Sequence, residues 1–427
     1  MVKVSNLDSP HAVADRPERP TCVSRREVFL SGLLVLIAFL TLNQARLWNP
    51  QRTITIQENV QVAEAQAWWV GRLDLPERKW DTALKDGRVY SYFPPMFTLL
   101  SAAIVGFCPD GVPHVALVIL VVLVPLLGYM LFYQATGSAR WGMVLAVGFM
   151  AGSSVWPELD LTLVTAKPYH VNHTLATIGL LIILIDYFGP RRVWLAGIGL
   201  FIAATSRQLT VMFAIPILYM AWTHAPRTQR WRRLGIAACF GAAVVVVSLG
   251  LNAIKFGHPL VTGYQLNHQG RDDIFAREAR AHGILSPHWV PRNLYYTNVG
   301  LPQIHQILDA GEAKTILRPN NMGTGIWWMT PLLLWFWVDL RRIVQRRESL
   351  PILLGVLAVF GLLMFWHATG ADQRGYNRYS LDYLPALLVL IAPHAIVGWR
   401  RWVTLAMIAW SLLYFHVLLP MPHVRIW

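Results

Sequence analysis

The sequence predicts an all-α polytopic membrane protein of about 11 transmembrane helices, with a cytoplasmic N-terminus and interfacial helices in the first extracytoplasmic loop. Three observations carry this. Of the 427 residues 55% are hydrophobic and only 14% charged, where soluble domains carry about 25% charged residues. Apolar runs close to the length that a bilayer demands recur along the chain. Finally, thirteen arginines fall in five short connections between those runs, as the positive-inside rule requires.

Composition also narrows the function. The net charge of +14 sits in these loops, so it speaks for membrane orientation and not for a nucleic-acid partner. The 19 tryptophans suit interfacial belts. Cys22, Cys108 and Cys239 offer neither a disulfide framework nor a structural zinc spacing. The first apolar run follows Arg25 and Arg26 like a signal peptide, but it lacks a small-residue cleavage site and has a long polar lead, so it reads as a retained span.

In order, residues 1–27 form a cytoplasmic tail, 28–420 the multi-span domain and 421–427 a C-terminal tail. The candidate spans are 28–47, 115–133, 141–156, 171–188, 193–205, 209–223, 234–252, 323–340, 350–368, 379–397 and 402–420. A twelfth apolar run, 96–107, is short and follows Pro94-Pro95. Thirteen arginines in five short loops decide how to count: Arg140; Arg191 and Arg192; Arg227, Arg230, Arg232 and Arg233; Arg341, Arg342, Arg346 and Arg347; Arg400 and Arg401. All lie on one side only if 96–107 does not cross and 193–223 makes two short spans that turn at Ser206-Arg207-Gln208. The outer face then carries a first loop at 43–114 including that run, a second at 157–170, the turn at 206–208, a long loop at 253–322, and 369–378. The cytoplasmic loops lack a nucleotide-binding glycine motif, which argues against ATP-driven transport.

The first loop holds Glu58, Glu64, Asp74, Glu77, Asp81 and Asp86, with 57–70 spaced as an amphipathic helix lying on the membrane. Asp74, Glu77 and Asp81 read as a solvated face, whereas Glu58 and Glu64 lie nearer the membrane surface. Asp160 in the second loop either pairs with Lys167 or faces the same pocket as the first-loop acids. His170 and His173, i,i+3 at a span start, either hold a metal with Asp160 or serve as interfacial hydrogen-bonding groups. Arg207 either snorkels to outer headgroups or meets a lipid phosphate. Arg374 and Arg378, beside Tyr376 and Tyr379, sit at an outer edge and suit a bidentate phosphate contact; an intrahelical pair with Asp382 competes for Arg378. Lys255 reads as an interfacial anchor.

Several stretches resemble integral-membrane glycosyltransferases of the GT-C superfamily, which includes protein mannosyltransferases and lipid A aminoarabinose transferases. They are YSYFPPMFTLLSA, SRQLTVMFAIPILYMAW, NAIKFGHPLVTGY, NMGTGIWWMTPLLLW and GYNRYSLDYLPALL, spread over most of 25–400. The resemblance implies a bacterial plasma-membrane enzyme that moves a sugar from a polyprenyl-phosphate-type lipid donor to an acceptor on the outer face. It places the catalytic base at Glu58, or else Glu64, supported by Asp160. The donor phosphate falls to Arg378 or Arg207, with Arg374 and Tyr376 beside them. The family usually shows an Asp or an Asp-Glu pair where this chain has isolated glutamates. Inverting transfer needs a base on the acceptor and positive charge on the leaving phosphate, so no cofactor is required, although a divalent cation could assist. A transporter or flippase of a lipid-linked saccharide, and a scaffold without activity, are the other readings.

Overall fold

The computed structural model describes residues 24–47, 52–79, 81–309, 312–318, 320, 322–371, 373 and 375–419. Within them the chain is mostly helix, with three two-stranded antiparallel ribbons as the only sheets. Five helices are long and apolar enough to cross a membrane: Arg25–Asn43, His114–Thr136, Pro168–Phe188, Arg227–Phe256 and Arg400–Leu418. A sixth arises if Ala139–Ala151 and Val155–Thr165, bent by 57°, count as one. The chain is thus compatible with an all-α membrane protein.

Pro168–Phe188 is the central post, with 89% of its apolar window buried. It crosses Val193–Ser206 so closely that a Cβ on Gly179 would lie 2.5 Å from the Gly199 carbonyl oxygen. Such backbone approach through small residues is how helices pack in lipid, where apolar burial gives no net gain. Arg227–Phe256 lies at the periphery, with only 11% of its window buried, and shows Trp231, Val245, Val246 and Ile254 outward. That is the surface expected of a helix whose solvent is hydrocarbon.

Two polar ends can be told apart by their contacts. At one, Glu27 meets Arg140 at 3.8 Å, Arg191 and His224 both reach Glu348 (2.9 and 3.2 Å), and Asp339 joins Arg400 and Arg342. The more exposed of these pairs, at Glu27 and Glu348, add little stability, whereas Asp339 is buried; together they join the arginine-bearing loops. At the other end Thr53–Ile54 pairs with Val112–Pro113, Arg52 donates to the Leu163 carbonyl (2.7 Å) and Asn59 to the Ala166 carbonyl (2.6 Å).

This geometry bears on the short run at 96–107. It forms a helix, Met96–Val105, of only 10 residues, about 15 Å long at the usual rise. Gln61 binds the Pro94 carbonyl before it (2.7 Å) and Gln66 the Pro109 carbonyl after it (2.6 Å), and both donors lie on one helix, Val60–Trp69. Both flanks of the run are therefore held by one short helix.

Other expectations shift. Residues 57–70 do form a helix, Val60–Trp69, capped by Asn59. However, it buries Val60 to Ala65 all round against Met96–Val105 instead of lying amphipathically on a surface. The second outer loop expected at 157–170 is largely helical, because Val155–Thr165 continues the preceding helix past the bend and stops at Ala166. The turn at 206–208 forms as expected: Val193–Ser206 ends, Arg207 is extended, and a 3-10 turn at Gln208–Phe213 leads into Ala214–Thr223. The long loop at 253–322 holds the helices Gly263–Gln269 and Ile274–His282 and the ribbon Gln303–Asp309 with Glu312–Arg318.

Candidate functional site

The polar end opposite the clustered arginines gathers segments from across the chain. The first loop contributes a hairpin, Thr82–Lys85 with Arg88–Ser91, turned by Asp86-Gly87. Both turn residues have positive φ (51° and 74°), as a two-residue turn of this hand requires. Asn267 of the long loop donates to the Thr82 carbonyl at 2.8 Å and Arg78 to the Gly270 carbonyl at 2.6 Å, so the two outer segments are tied into one cap. The rings of Phe93, Tyr92, Tyr264 and Trp366 follow one another with centroids 4.6 to 5.2 Å apart, the first pair stacked, the second tilted and the third edge-on.

Asp81 lies at the hairpin entry, half-buried, 3.4 Å from the Tyr92 hydroxyl. Burial raises its carboxyl pKa above the ordinary value, while Lys167, the Tyr92 hydroxyl, Arg271 and Arg378 pull the other way. The same burial pushes Tyr264 up to about 12. The Arg378 guanidinium stands 5.2 Å from the ring centres of both Tyr169 and Tyr379, which supports a planar cation from two sides. Thus a half-buried carboxylate and an arginine set against two aromatic rings influence one another electrostatically.

Beneath lie two buried networks rooted in the first turns of Pro168–Phe188. Glu158, 1% exposed, takes the His170 Nδ1 at 2.9 Å on one oxygen and the Tyr376 hydroxyl at 2.5 Å on the other. Asp382, fully buried, accepts two hydrogen bonds from Arg207 Nε (both 3.2 Å) and one from Nη2 (2.8 Å), with His173 Nδ1 3.6 Å away. Arg207 also lies 4.9 Å from the Tyr379 ring centre.

These contacts redistribute the expected roles. Glu58 accepts from the Thr55 amide and pairs with Arg52 at 3.1 Å, so it fastens the turn into Val60–Trp69. Glu64 is fully buried, accepts from Thr98 at 2.7 Å and forms an ion pair with Lys255, which is therefore an internal partner and not an interfacial anchor. Asp160 sits half-buried within Val155–Thr165. The carboxylate that engages the histidine pair's first member is its neighbour Glu158. His170 and His173 reach different carboxylates and do not close on one point. Asp382 engages Arg207, and Arg378–Asp382 forms a 3-10 turn and not the α-helical turn expected for an i,i+4 pair. The Tyr376 hydroxyl serves Glu158. Arg374 lies outside the described residues.

Asp81 is what the sequence reasoning missed: it was grouped with Asp74 and Glu77 as a solvated face. The nearby Asp-Gly pair between TALK and RVYS was the available signal, since a hairpin there folds the segment back under the cap. Among the described residues no three His, Cys, Asp or Glu side chains gather as a metal site would need. Comparison with protein-family models, curated proteins and solved structures finds no match for this chain.

Proposed function

We propose that the chain is a membrane-embedded glycosyltransferase that moves a sugar from a polyprenyl-phosphate-type lipid to an acceptor on the outer face, in a bacterial plasma membrane. The observation that carries the reading is Asp81, half-buried at the hairpin entry with the Tyr92 hydroxyl 3.4 Å away, at the same outer end as Arg378, which lies against two tyrosine rings. In this reading the clustered arginine loops face the cytoplasm, the chain crosses about 11 times, and Met96–Val105 lies in the outer leaflet without crossing.

The chemistry follows from these groups. The acceptor O–H or N–H gives its proton to the Asp81 carboxylate as the acceptor atom attacks the anomeric carbon. The bond from that carbon to the phosphate oxygen breaks, and the electron pair leaves with the polyprenyl phosphate. Arg378 meets the extra negative charge in fork geometry, with Arg271 near. Burial raises the basicity of Asp81, which suits a general base. Glu58 and Glu64 are set aside as bases because each has a partner that fixes the fold. A divalent cation could assist at the phosphate.

The test is release of polyprenyl phosphate from a synthetic lipid-linked sugar by reconstituted protein, compared with Asp81→Asn and Arg378→Ala. Unchanged release in both variants would refute the assignment. Buried Glu158–His170 and His173–Asp382–Arg207 favour a second reading, a transporter or flippase of the same lipid, because ionisable groups inside a bundle mark proton or substrate paths. Movement of intact lipid across the bilayer without cleavage would select it.

A further inference from the structure

The segment YSYFPP folds over the C-terminal end of Arg230–Phe256 and closes a small cavity of about 10 Å³. That is room for one water or one hydroxyl group. Ser91, Tyr92, Gln208, Ser248, Asn252 and Lys255 are among its lining. At its edge Lys255, 5% exposed, is ion-paired with Glu64 and donates to the Ser91 carbonyl at 3.3 Å. An ammonium carries three protons, and these two contacts use two. The Ser91 and Ser248 hydroxyls, both out of solvent, have no hydrogen-bond partner within the protein. Buried hydroxyls left unmatched are costly, so their presence points to an oxygen that completes them.

Two further features define what that oxygen belongs to. Lys255 lines the cavity with its charge matched by Glu64, so its remaining N–H suits an oxygen acceptor, and an ammonium there would be repelled by Lys255. Tyr92 is one of the lining residues and its hydroxyl reaches Asp81 at 3.4 Å, which puts the cavity one residue away from the candidate base.

We propose that this cavity is a subsite that reads one hydroxyl of the sugar carried on the lipid donor. The proposal rests on the transferase reading and narrows its donor to a sugar with a hydroxyl at the position read, an amino group there being disfavoured. Donors and acceptors held by Ser91, Ser248 and Lys255 would reject a sugar lacking that hydroxyl, because the protein groups would stay unmatched.

The test measures binding to the purified full-length chain by native mass spectrometry. The probes are polyprenyl phosphate, a polyprenyl-phosphoryl neutral hexose, and the series of its monodeoxy analogues. The expected result is that the hexose lipid binds more tightly than the bare phosphate, and that one deoxy analogue loses about ten- to a hundredfold in affinity. The Ser91→Ala/Ser248→Ala double variant, checked for an unchanged melting temperature, loses that discrimination but keeps its affinity for bare polyprenyl phosphate. Equal binding of every deoxy analogue, or full discrimination by the double variant, would mean that the cavity holds a structural water only. Failure of the wild-type chain to bind any of the probes would overturn the subsite together with the donor class. Discrimination without any cleavage of the donor would instead retain the subsite and overturn the transferase reading.

Discussion

Arg207 separates a structural account of the outer site from a ligand-binding one, and Asp382 is the place to test it. Asp382 is fully buried and the Arg207 side chain is 16% exposed, joined by three hydrogen bonds of 2.8 to 3.2 Å. Removing one partner of a buried pair leaves an uncompensated charge, which costs about 3–5 kcal/mol. The Tyr379 ring at 4.9 Å from the guanidinium adds about 0.5–2 kcal/mol that Arg207→Met also forfeits. Asp382→Asn and Arg207→Met should each lower stability by several kcal/mol. The Arg207→Met/Asp382→Leu double variant, which strands no charge, should regain most of that. The assay is a double-mutant cycle from reversible denaturation in detergent, read alongside thermal midpoints. The reasoning is refuted if both single variants stay within about 0.5 kcal/mol of wild type while Arg207→Met alone loses binding of polyprenyl phosphate, since Arg207 would then serve a ligand.

Other outcomes follow from the same structure. Because burial raises the Asp81 pKa, the folded state holds its proton more tightly than the unfolded one; Asp81 therefore costs stability as pH rises through the shifted value, and that cost is absent below the ordinary carboxyl pKa. Asp81→Asn should accordingly melt higher than wild type at pH 7, with the advantage vanishing near pH 3, while donor cleavage falls about 10²–10⁴-fold. Glu58→Gln touches a half-exposed pair and should change stability by no more than about 1 kcal/mol and leave cleavage intact; a large loss of cleavage would restore Glu58 as the base. Gly179→Leu drives a side chain into the Gly199 and Ala203 backbone and should destabilise by more than about 1–3 kcal/mol, measured by thermal unfolding. A reporter fused after Asp110 should read as extracytoplasmic; a cytoplasmic signal would mean that Met96–Val105 crosses.

Much of the scaffold was legible because it rests on local pattern. Apolar length marked the long helices, and the arginine distribution grouped the loops that the structure brings together through Glu27, Glu348 and Asp339. Ser206-Arg207-Gln208 was readable as a break because polar residues interrupt an apolar run there. The site was less legible, because its logic is partner choice across long separations. Glu158 and Asp160 lie on the same helix with one residue between them, and only the fold shows that Glu158 meets both His170, 12 residues on, and Tyr376, 218 residues away. Likewise Arg378 and Asp382 are neighbours at helical spacing, but a 3-10 turn hands Asp382 to Arg207, 175 residues distant. Asp81 was passed over because a charged residue in a polar stretch looks solvated until the hairpin and Asn267 close over it.

The central claim is that Asp81 and Arg378 together cleave a sugar from a lipid phosphate. The most direct measurement incorporates the protein into liposomes with a polyprenyl-phosphoryl hexose and follows both release of polyprenyl phosphate and the leaflet in which intact lipid resides. The account predicts release by the wild-type protein, lost in Asp81→Asn and in Arg378→Ala. Translocation of intact lipid with no release, unaffected by either substitution, would contradict it.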